Sequence, residues 1–480
     1  MSSHFRYYSE APETVPFSAS YPPPSQAIKS FQSTVKIPPK NANTFNPGDK
    51  IRIELPPQGY WNARESYLEL DVTLSGYDAT TCKSVRFQQG IQSIFERKNW
   101  LYGGLPLEDT MHSDGIDRLL LEAGCGRDWS ESTGTITEGV AISCLEHEQG
   151  MQLVTDPPST SLVVSGEQIL QDLAGAMYNS SGSQVRSSSS TTRRYTILLN
   201  TGVSMTAKNW PLQWLASQMA LELYLAPASK CMYVVPQSGQ TPVVTYQVTN
   251  VNFVLNLLTF SDLYDQAFQT ALNSPSGVPI KFNAFTYHTL NLTGSSNTLQ
   301  IQTRHRSIKS VFAVIRDQSY SYTTDSGIFF FDAAIQSDGS GTPGSTVLQY
   351  QWRIGGRYYP SQPVDCRYGA AEAMMELQKA LNTLGDYSVG QRISYRHWST
   401  YGAANGSASS AANIGNKFIM AVELETSNGM EVSGINGEEQ SDISLSVTLN
   451  GAPVSKRCDV YVHYDALAIC RAGNVMELID

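Results

Sequence analysis

Several groups of residues carry side chains that catalysis or ligand binding would need. His112, Ser113 and Asp114 stand together in MHSDG, which holds the residue types of a hydrolytic triad. A triad is assembled in space from separate loops, and consecutive residues seldom face one another. The same residues suit a turn in which Ser and Asp bond their own backbone, and that reading is preferred. His463 and Asp465 in VHYDAL lie two apart, so on a strand they share a face and could form an acid–base or metal-binding pair. Alternation sets Val460, Val462, Tyr464, Ala466 and Ala468 on one face and Tyr461, His463, Asp465, Leu467 and Ile469 on the other. This is the pattern of a strand buried on both sides with one paired polar spot. The basic cluster Arg304, His305, Arg306 and Lys309, and the pair Arg193 and Arg194, could touch phosphate. Each is short and lacks interleaved aromatics for base stacking, so a strand end or subunit contact fits better. Glu423 and Glu425 alternate onto one strand face without a second acid opposite them, and read as surface or interface charge.

The stronger marks of chemistry are missing from the sequence. It has no GxxxxGK followed by Ser or Thr, no HExxH, no GxSxG and no spaced Cys/His quartet, the signatures of phosphate loops, zinc proteases and hydrolase elbows. No catalytic, cofactor-binding or metal-binding residue is assigned, no cofactor is expected, and the chain reads as a non-enzyme. Cys82, Cys125, Cys144, Cys231, Cys366, Cys458 and Cys470 are odd in number and nowhere in a CxxC pair, which fits free thiols in a reducing compartment. The formal net charge is −10, and Arg6, Lys29, Lys36, Lys40 and Lys50 are nearly balanced by Glu10, Glu13 and Asp49. Nucleic-acid binders concentrate Lys and Arg, so no direct nucleic-acid binding is expected. The opening MSSHFRYYSEAPETVPFSASYPPPS lacks the apolar stretch of a signal peptide, and no run approaches the ~20 apolar residues of a membrane span. Usual secretion is not expected, and the sequons at Asn179, Asn291 and Asn405 are set aside.

The elements that would position these residues are mostly strands. At 480 residues with 41% apolar content, the chain exceeds what one core usually serves, so two domains are expected. Charged residues make up 16%, below the ~25% of average globular domains, which suits a protein whose surface is largely covered by neighbours. KIRIEL from Lys50 and SYLELDVTLSG from Ser66 alternate apolar and polar across a Pro56-Pro57-Gln58-Gly59 turn. Similar runs start at Arg194, Met219, Val243, Ser307, Lys417, Ile443 and Asp459, and such spacing predicts an all-β sandwich or jelly roll. Helical periodicity appears in GIDRLLLEAG from Gly115, FSDLYDQAFQTAL from Phe260 and YGAAEAMMELQKALNTLGD from Tyr368, the last stopping at Gly385. Polar Gly/Ser-rich tracts from Tyr178, Gln336 and Tyr401 read as loop tips. The Pro-, Ser- and Gln-rich start reads as an extended arm over residues 1–48, and QSGQTP near Ser238 divides a domain at 49–240 from one at 241–480.

Several segments resemble double-jelly-roll major capsid proteins of the adenovirus and tectivirus lineage, especially those of polinton-like viruses, virophages and adintoviruses. In the first half these are GIQSIFERKNWLYGGLPLEDTMHSDGIDRLL from Gly90 and NWPLQWLASQMALELYLAPASKCMYV from Asn209. In the second half, NVNFVLNLLTFSDLYDQAFQTAL from Asn250 is similar to that family's opening strand and helix, and SIKSVFAVIRDQ from Ser307 to its next core strand. YQWRIGGRYYPSQPVD from Tyr350, with Gly355, Gly356, Pro360 and Pro363 at turns, SGINGEEQSDISLSVTL from Ser433 and the strand from Asp459 complete the series. The resemblance implies two tandem eight-stranded jelly rolls with a few short helices in loops. It also implies a structural role: a homotrimer forming pseudo-hexameric capsomers, which tile an icosahedral virion shell with penton and minor capsid proteins, and with an internal membrane as a further contact. Synthesis would be in the cytoplasm or nucleus of a host cell. The competing reading is a β-sandwich carbohydrate-binding or carbohydrate-active protein, which would need convergent carboxylates or a metal.

Overall fold

The computed structural model describes residues 30–76, 82–87, 90–126, 129–139, 190–236, 241, 243–318, 347–367, 370–385, 393, 398, 417–425, 432–438, 443–451, 453, 456–471 and 475–479. The main strands, in chain order, are β1 Ser30–Ile37, β2 Lys50–Glu54, β3 Tyr67–Ser75, β4 Phe95–Tyr102, β5 Leu105–Met111, β6 Ser190–Ile197, β7 Met219–Leu225 and β8 Thr245–Phe260. They continue as β9 Val278–Leu292, β10 Ser296–Ile301, β11 Ile308–Asp317, β12 Val347–Ile354, β13 Arg357–Asp365, β14 Met420–Glu423, β15 Ile443–Leu449 and β16 Lys456–Arg471. Hydrogen bonding arranges them in the orders β1-β8-β3-β6 and β2-β7-β4-β5, then β9-β16-β11-β14 and β10-β15-β12-β13. The second set repeats the first with every number raised by eight. Two eight-stranded jelly rolls in tandem account for most of the described strands, as an antiparallel design that pairs two four-stranded sheets over each core. Short additional strands pair at the margins, Thr44–Phe45 and Tyr60–Trp61 on β8 and Val475–Ile479 on β16.

The pairing differs from the sequence reading in three places. The strands starting near Lys50 and Ser66 are consecutive but enter opposite sheets, because Pro56 to Gly59 and a short 3-10 turn at Ala63–Glu65 carry the chain across the sandwich. The extended arm is partly built into the fold, with Ser30–Ile37 pairing residue for residue with Ile37↔Phe253 through Ser30↔Phe260. β8, which the sequence placed at the opening of the second half, pairs with β1 and β3 and closes the first jelly roll. QSGQTP, where the sequence divides the chain, lies almost wholly outside the described residues, and α2, Asp262–Leu272, stands between β8 and β9. A bulge between Thr249 and Asn252, with Asn250 at φ 50°, lets β8 change its pairing midway. Of the polar tracts, the last residues of the first, Ser190–Arg194, lie in β6, where Arg194 chelates Asp71 on β3 at 2.6 and 2.9 Å. The remainder of that tract and the other two lie outside the described residues.

Two of the three expected helices start near the residues expected of them, α1 at Ser113–Gly124 and α2, and the third, α3, spans Ala371–Ala380. It ends before Gly385 because Asn382 adopts φ 55° and the Thr383 amide reaches back to Gln378, a left-handed stop that Asn tolerates.

The modules are not independent beads. β9 and β16 form one antiparallel ladder from Val278↔Cys470 to Leu292↔Lys456. At one end Ile280, Phe282, Ala284, Tyr464, Ala466, Ala468 and Cys470 belong to the core of the first jelly roll, and at the other Leu292, Cys458, Val460, Tyr461 and Val462 belong to the second. The helical turn Gly202–Met205 sits against this ladder, and a methyl group at Gly202 would overlap the backbone of Asn283 on β9. Gly202→Ala should therefore destabilise the protein by roughly 3 kcal/mol or more through overpacking. Gly124→Ala, which meets nothing within 4 Å, should be neutral or slightly stabilising; urea unfolding of the two variants makes the comparison.

Candidate functional site

The most heavily charged buried region lies where α1 crosses between the modules. β5 delivers the chain to His112, whose φ of 49° turns it into the helix, and Ser113 Oγ donates to the Phe95 carbonyl at 2.6 Å. The apolar face of α1, Ile116, Leu119 and Ala123, enters the second core, where each large side chain is worth about 1.5–3 kcal/mol of burial. The opposite face is charged and also buried. Lys98 Nζ on β4 meets Asp117 Oδ2 at 2.5 Å, and Lys417 Nζ meets Glu122 Oε2 at 2.6 Å with both side chains 1% exposed or less. One ion pair thus ties α1 to the first jelly roll and the other ties it to the second. Nearby, Asp459 takes hydrogen bonds from Tyr287 and Thr289 at 2.8 and 3.2 Å and ion pairs with Arg457 and Arg316 at 3.0 and 3.5 Å.

The residues singled out by the sequence occupy different environments. His112, Ser113 and Asp114 do not form a triad: Ser113 is committed to Phe95, His112 packs its ring 4.5 Å from Tyr287, and Asp114 Oδ1 has no hydrogen-bond partner. The turn they make does not use Ser113 to bond its own backbone as expected, since Phe95 on the neighbouring strand offers a better-placed carbonyl. Burial lowers the His112 pKa and raises that of Asp114.

His463 and Asp465 do share a face of β16, but they bond elsewhere. Asp465 Oδ2 accepts from Ser307 Oγ at 2.8 Å and the Ser433 amide at 3.1 Å, while Lys281 and Lys309 approach Oδ1 at 3.1 and 3.8 Å. Burial alone would raise its pKa; the Ser433 amide, Ser307 and the two lysines outweigh it and hold the carboxyl below its ordinary value. His463 stacks on Phe285 at 4.7 Å and lies 3.1 Å through Nδ1 from Ser310 Oγ. Burial, with Lys309 nearby, pushes its pKa down to about 3. Ser310 and His463 border a crevice of about 320 Å³ with Lys309, Lys379, Glu423 and Asn283. Sequence reasoning did not find this serine, since no spacing links it to a strand that begins well over a hundred residues later. A Ser–His contact is the start of a nucleophile–base pair, but a base this weak at neutral pH takes up a proton poorly, and the nearest acid along the strand is spent on Ser307, Ser433 and the lysines.

Most of the other candidates are engaged by neighbours. Glu425 joins Lys309 at 3.4 Å and accepts from Ser433 Oγ, so it belongs to the Asp465 network and not to the bare surface; Glu423 is raised by burial and then by Glu425. His305 stacks on Tyr464 with centroids 3.5 Å apart and meets Thr286 Oγ1 at 2.7 Å, Arg306 pairs with Glu438 at 3.3 Å, and Arg193 lies over Tyr195 at 5.0 Å. Among the described residues no three of His, Cys, Asp and Glu gather to hold a metal, and Cys125, Cys231, Cys366, Cys458 and Cys470 are free thiols. Among the described residues no helix is long and apolar enough to cross a membrane.

This architecture is a double jelly roll. No protein-family model matches the sequence, and no curated protein sequence matches it. Solved structures do match. The subunit in a quasi-atomic model of the PBCV-1 virus capsid aligns with a TM-score of 0.55 at 10% identity, over 96% of this chain and 100% of that one. A chain of the Sputnik virophage aligns at 0.55 and 11% identity, over 96% and 90%. The Faustovirus major capsid protein aligns at 0.51 and 10% identity, over 95% and 92%. What is shared at these identities is the fold.

Two measurements probe this region. Glu122→Gln should cost roughly 3–5 kcal/mol by removing the negative charge that the buried Lys417 faces, while Glu122→Leu combined with Lys417→Met should recover most of it. In ring-proton NMR spectra the His463 signals should not titrate between about pH 5 and 8, since its folded-state pKa is about 3.

Proposed function

We propose that this protein is a major capsid protein, a structural subunit that trimerises into pseudo-hexameric capsomers and catalyses nothing. The observation that carries the proposal is the repeated strand order, β1-β8-β3-β6 and β2-β7-β4-β5 followed by the same pattern eight strands on. Two like modules per chain give six per trimer, and a three-fold object with a nearly six-fold outline can tile a hexagonal lattice through closed, symmetry-constrained contacts. The buried seam supports the reading, because a tile must hold its two modules at a fixed angle. The low charged fraction of 16% supports it as well, since broad low-charge surfaces suit a protein covered by neighbours. The modules of this reading are 30–260 and 278–479. The partners are further copies of the chain in a virion shell, with penton and minor capsid proteins at specialised positions, and synthesis takes place inside a host cell.

The rival carbohydrate-active reading would need a pair of convergent carboxylates facing an open cleft. Glu423 and Glu425 border the crevice, but the second is engaged by Lys309 and Ser433. Light scattering of the purified protein should find a species near three times 52.7 kDa that survives dilution, with a hexagonal outline in negative stain. A monodisperse monomer at micromolar concentration would sink the proposal.

A further inference from the structure

Beneath α1 is a surplus of acid that assembly does not explain. Lys98, 1% exposed, touches Asp117 Oδ2 at 2.5 Å and Gln92 Oε1 at 3.1 Å, and the other end of Gln92 donates to Glu138 Oε2 at 2.9 Å. Glu108 on β5, 3% exposed, closes the group by accepting the amides of Gly202 and Val203 at 2.9 and 3.0 Å. Asp117 and Glu138 are 7% and 6% exposed. α1 adds Asp114 and Arg118, which border a cavity of about 160 Å³ together with Asp117 and Glu138, and Arg316 of the second jelly roll acts on Asp114. Asp114, Asp117, Glu108 and Glu138 thus face Lys98, Arg118 and Arg316, four acids to three buried bases.

We propose that the Lys98–Asp117 ion pair and the neighbouring carboxyls of Glu108 and Glu138, which hold the protons of the surplus acid, form a latch that fastens α1 and the Gly202–Met205 turn to the first jelly roll. Both fastened elements are the ones that touch the second jelly roll, α1 through Ile116, Leu119 and Ala123, and the turn through Gly202 against Asn283. Full ionisation leaves like charges facing one another in a low dielectric, so the latch loosens where its protons leave. The direction of pH dependence follows from burial, the largest cause for each group: Glu108 and Glu138 are raised from 4.5 to about 7 and Asp117 from 3.8 to about 6. Between those values the folded protein holds more protons than the unfolded chain, so this contribution to stability is present at acid pH and is lost as pH rises through about 6 to 7. His112, His288 and His463, lowered by burial, work in the opposite sense, losing stability as pH falls through the ordinary histidine range, so the latch must be read as a difference. It depends on the fold alone and not on what the protein assembles into.

The test uses the full chain with Glu108→Gln, Glu138→Gln and both together, melted from about pH 5.5 to about pH 8. The melting temperature of each variant minus that of the unaltered protein should climb as pH rises, most for the double variant. Hydrogen exchange on the unaltered protein supplies a second reading that needs no variant to fold. After correction for intrinsic rates, amides of α1 and of residues 202–205 should lose protection over that pH range, while those of β12 and β15 keep theirs. A variant difference that is flat or falls with pH, or protection lost evenly across both modules, overturns the latch.

Discussion

The ladder between β9 and β16 is the constraint on which the rest of the molecule depends. Its 15 paired positions run through both cores, so the sheet that opens the second jelly roll also lines the first. A rigid ribbon shared in this way fixes the angle between modules without any hinge, and domain motion, the usual expectation for a two-domain chain, is suppressed at its source. Everything else at the seam then has to fit a surface it cannot move. Gly202 has no side chain because Asn283 leaves no room for one, and Gly115 abuts the Tyr461 hydroxyl in the same manner.

The buried charges follow from this geometry. Replacing a buried ion pair by apolar residues is often neutral or stabilising, whereas losing one partner is costly. Lys98–Asp117 and Lys417–Glu122 therefore add less to overall stability than to the choice of one docking position for α1, whose apolar stripe alone could slide along the second core. The same helix thereby holds the acid surplus beneath it, so specificity at the seam and sensitivity to protons are two aspects of one arrangement.

Much of the fold was legible in the sequence where strands have one wet and one dry face. KIRIEL and ISLSVTLNG read directly as β2 and β15 because every second residue, Ile51 and Ile53 in one and Leu445, Val447 and Leu449 in the other, is buried in a core. β1 was not legible because SFQSTVKI buries almost nothing, with Phe31 82% exposed, so it lacks the hydrophobic signal and is held by backbone pairing to β8. QSGQTP near Ser238 looks like a linker in composition, while α2, which follows the strand that closes the first sheet, looks like any amphipathic helix. At the seam, no local pattern marks Asp117 and Glu122 as buried; only three-dimensional packing sets Lys98 against the one and Lys417 against the other. His463 and Asp465 were correctly placed on one face of a doubly buried strand, but Ser310 and Ser307, their true partners, come from β11 and the loop before it, at a distance in sequence that no local pattern spans.

The shared ribbon also has a consequence in time. A chain emerging from the ribosome usually folds its first domain before the second is made. Here the first jelly roll lacks Tyr464, Ala466, Ala468 and Cys470 of its own core until β16 has been synthesised, after nearly all of the second module. The first module must wait as an incomplete sandwich, with the surface that β9 and β16 will cover still open to water. Both modules then close in a single late event, so a nascent chain that has not been finished has no completed half to offer to an assembling neighbour.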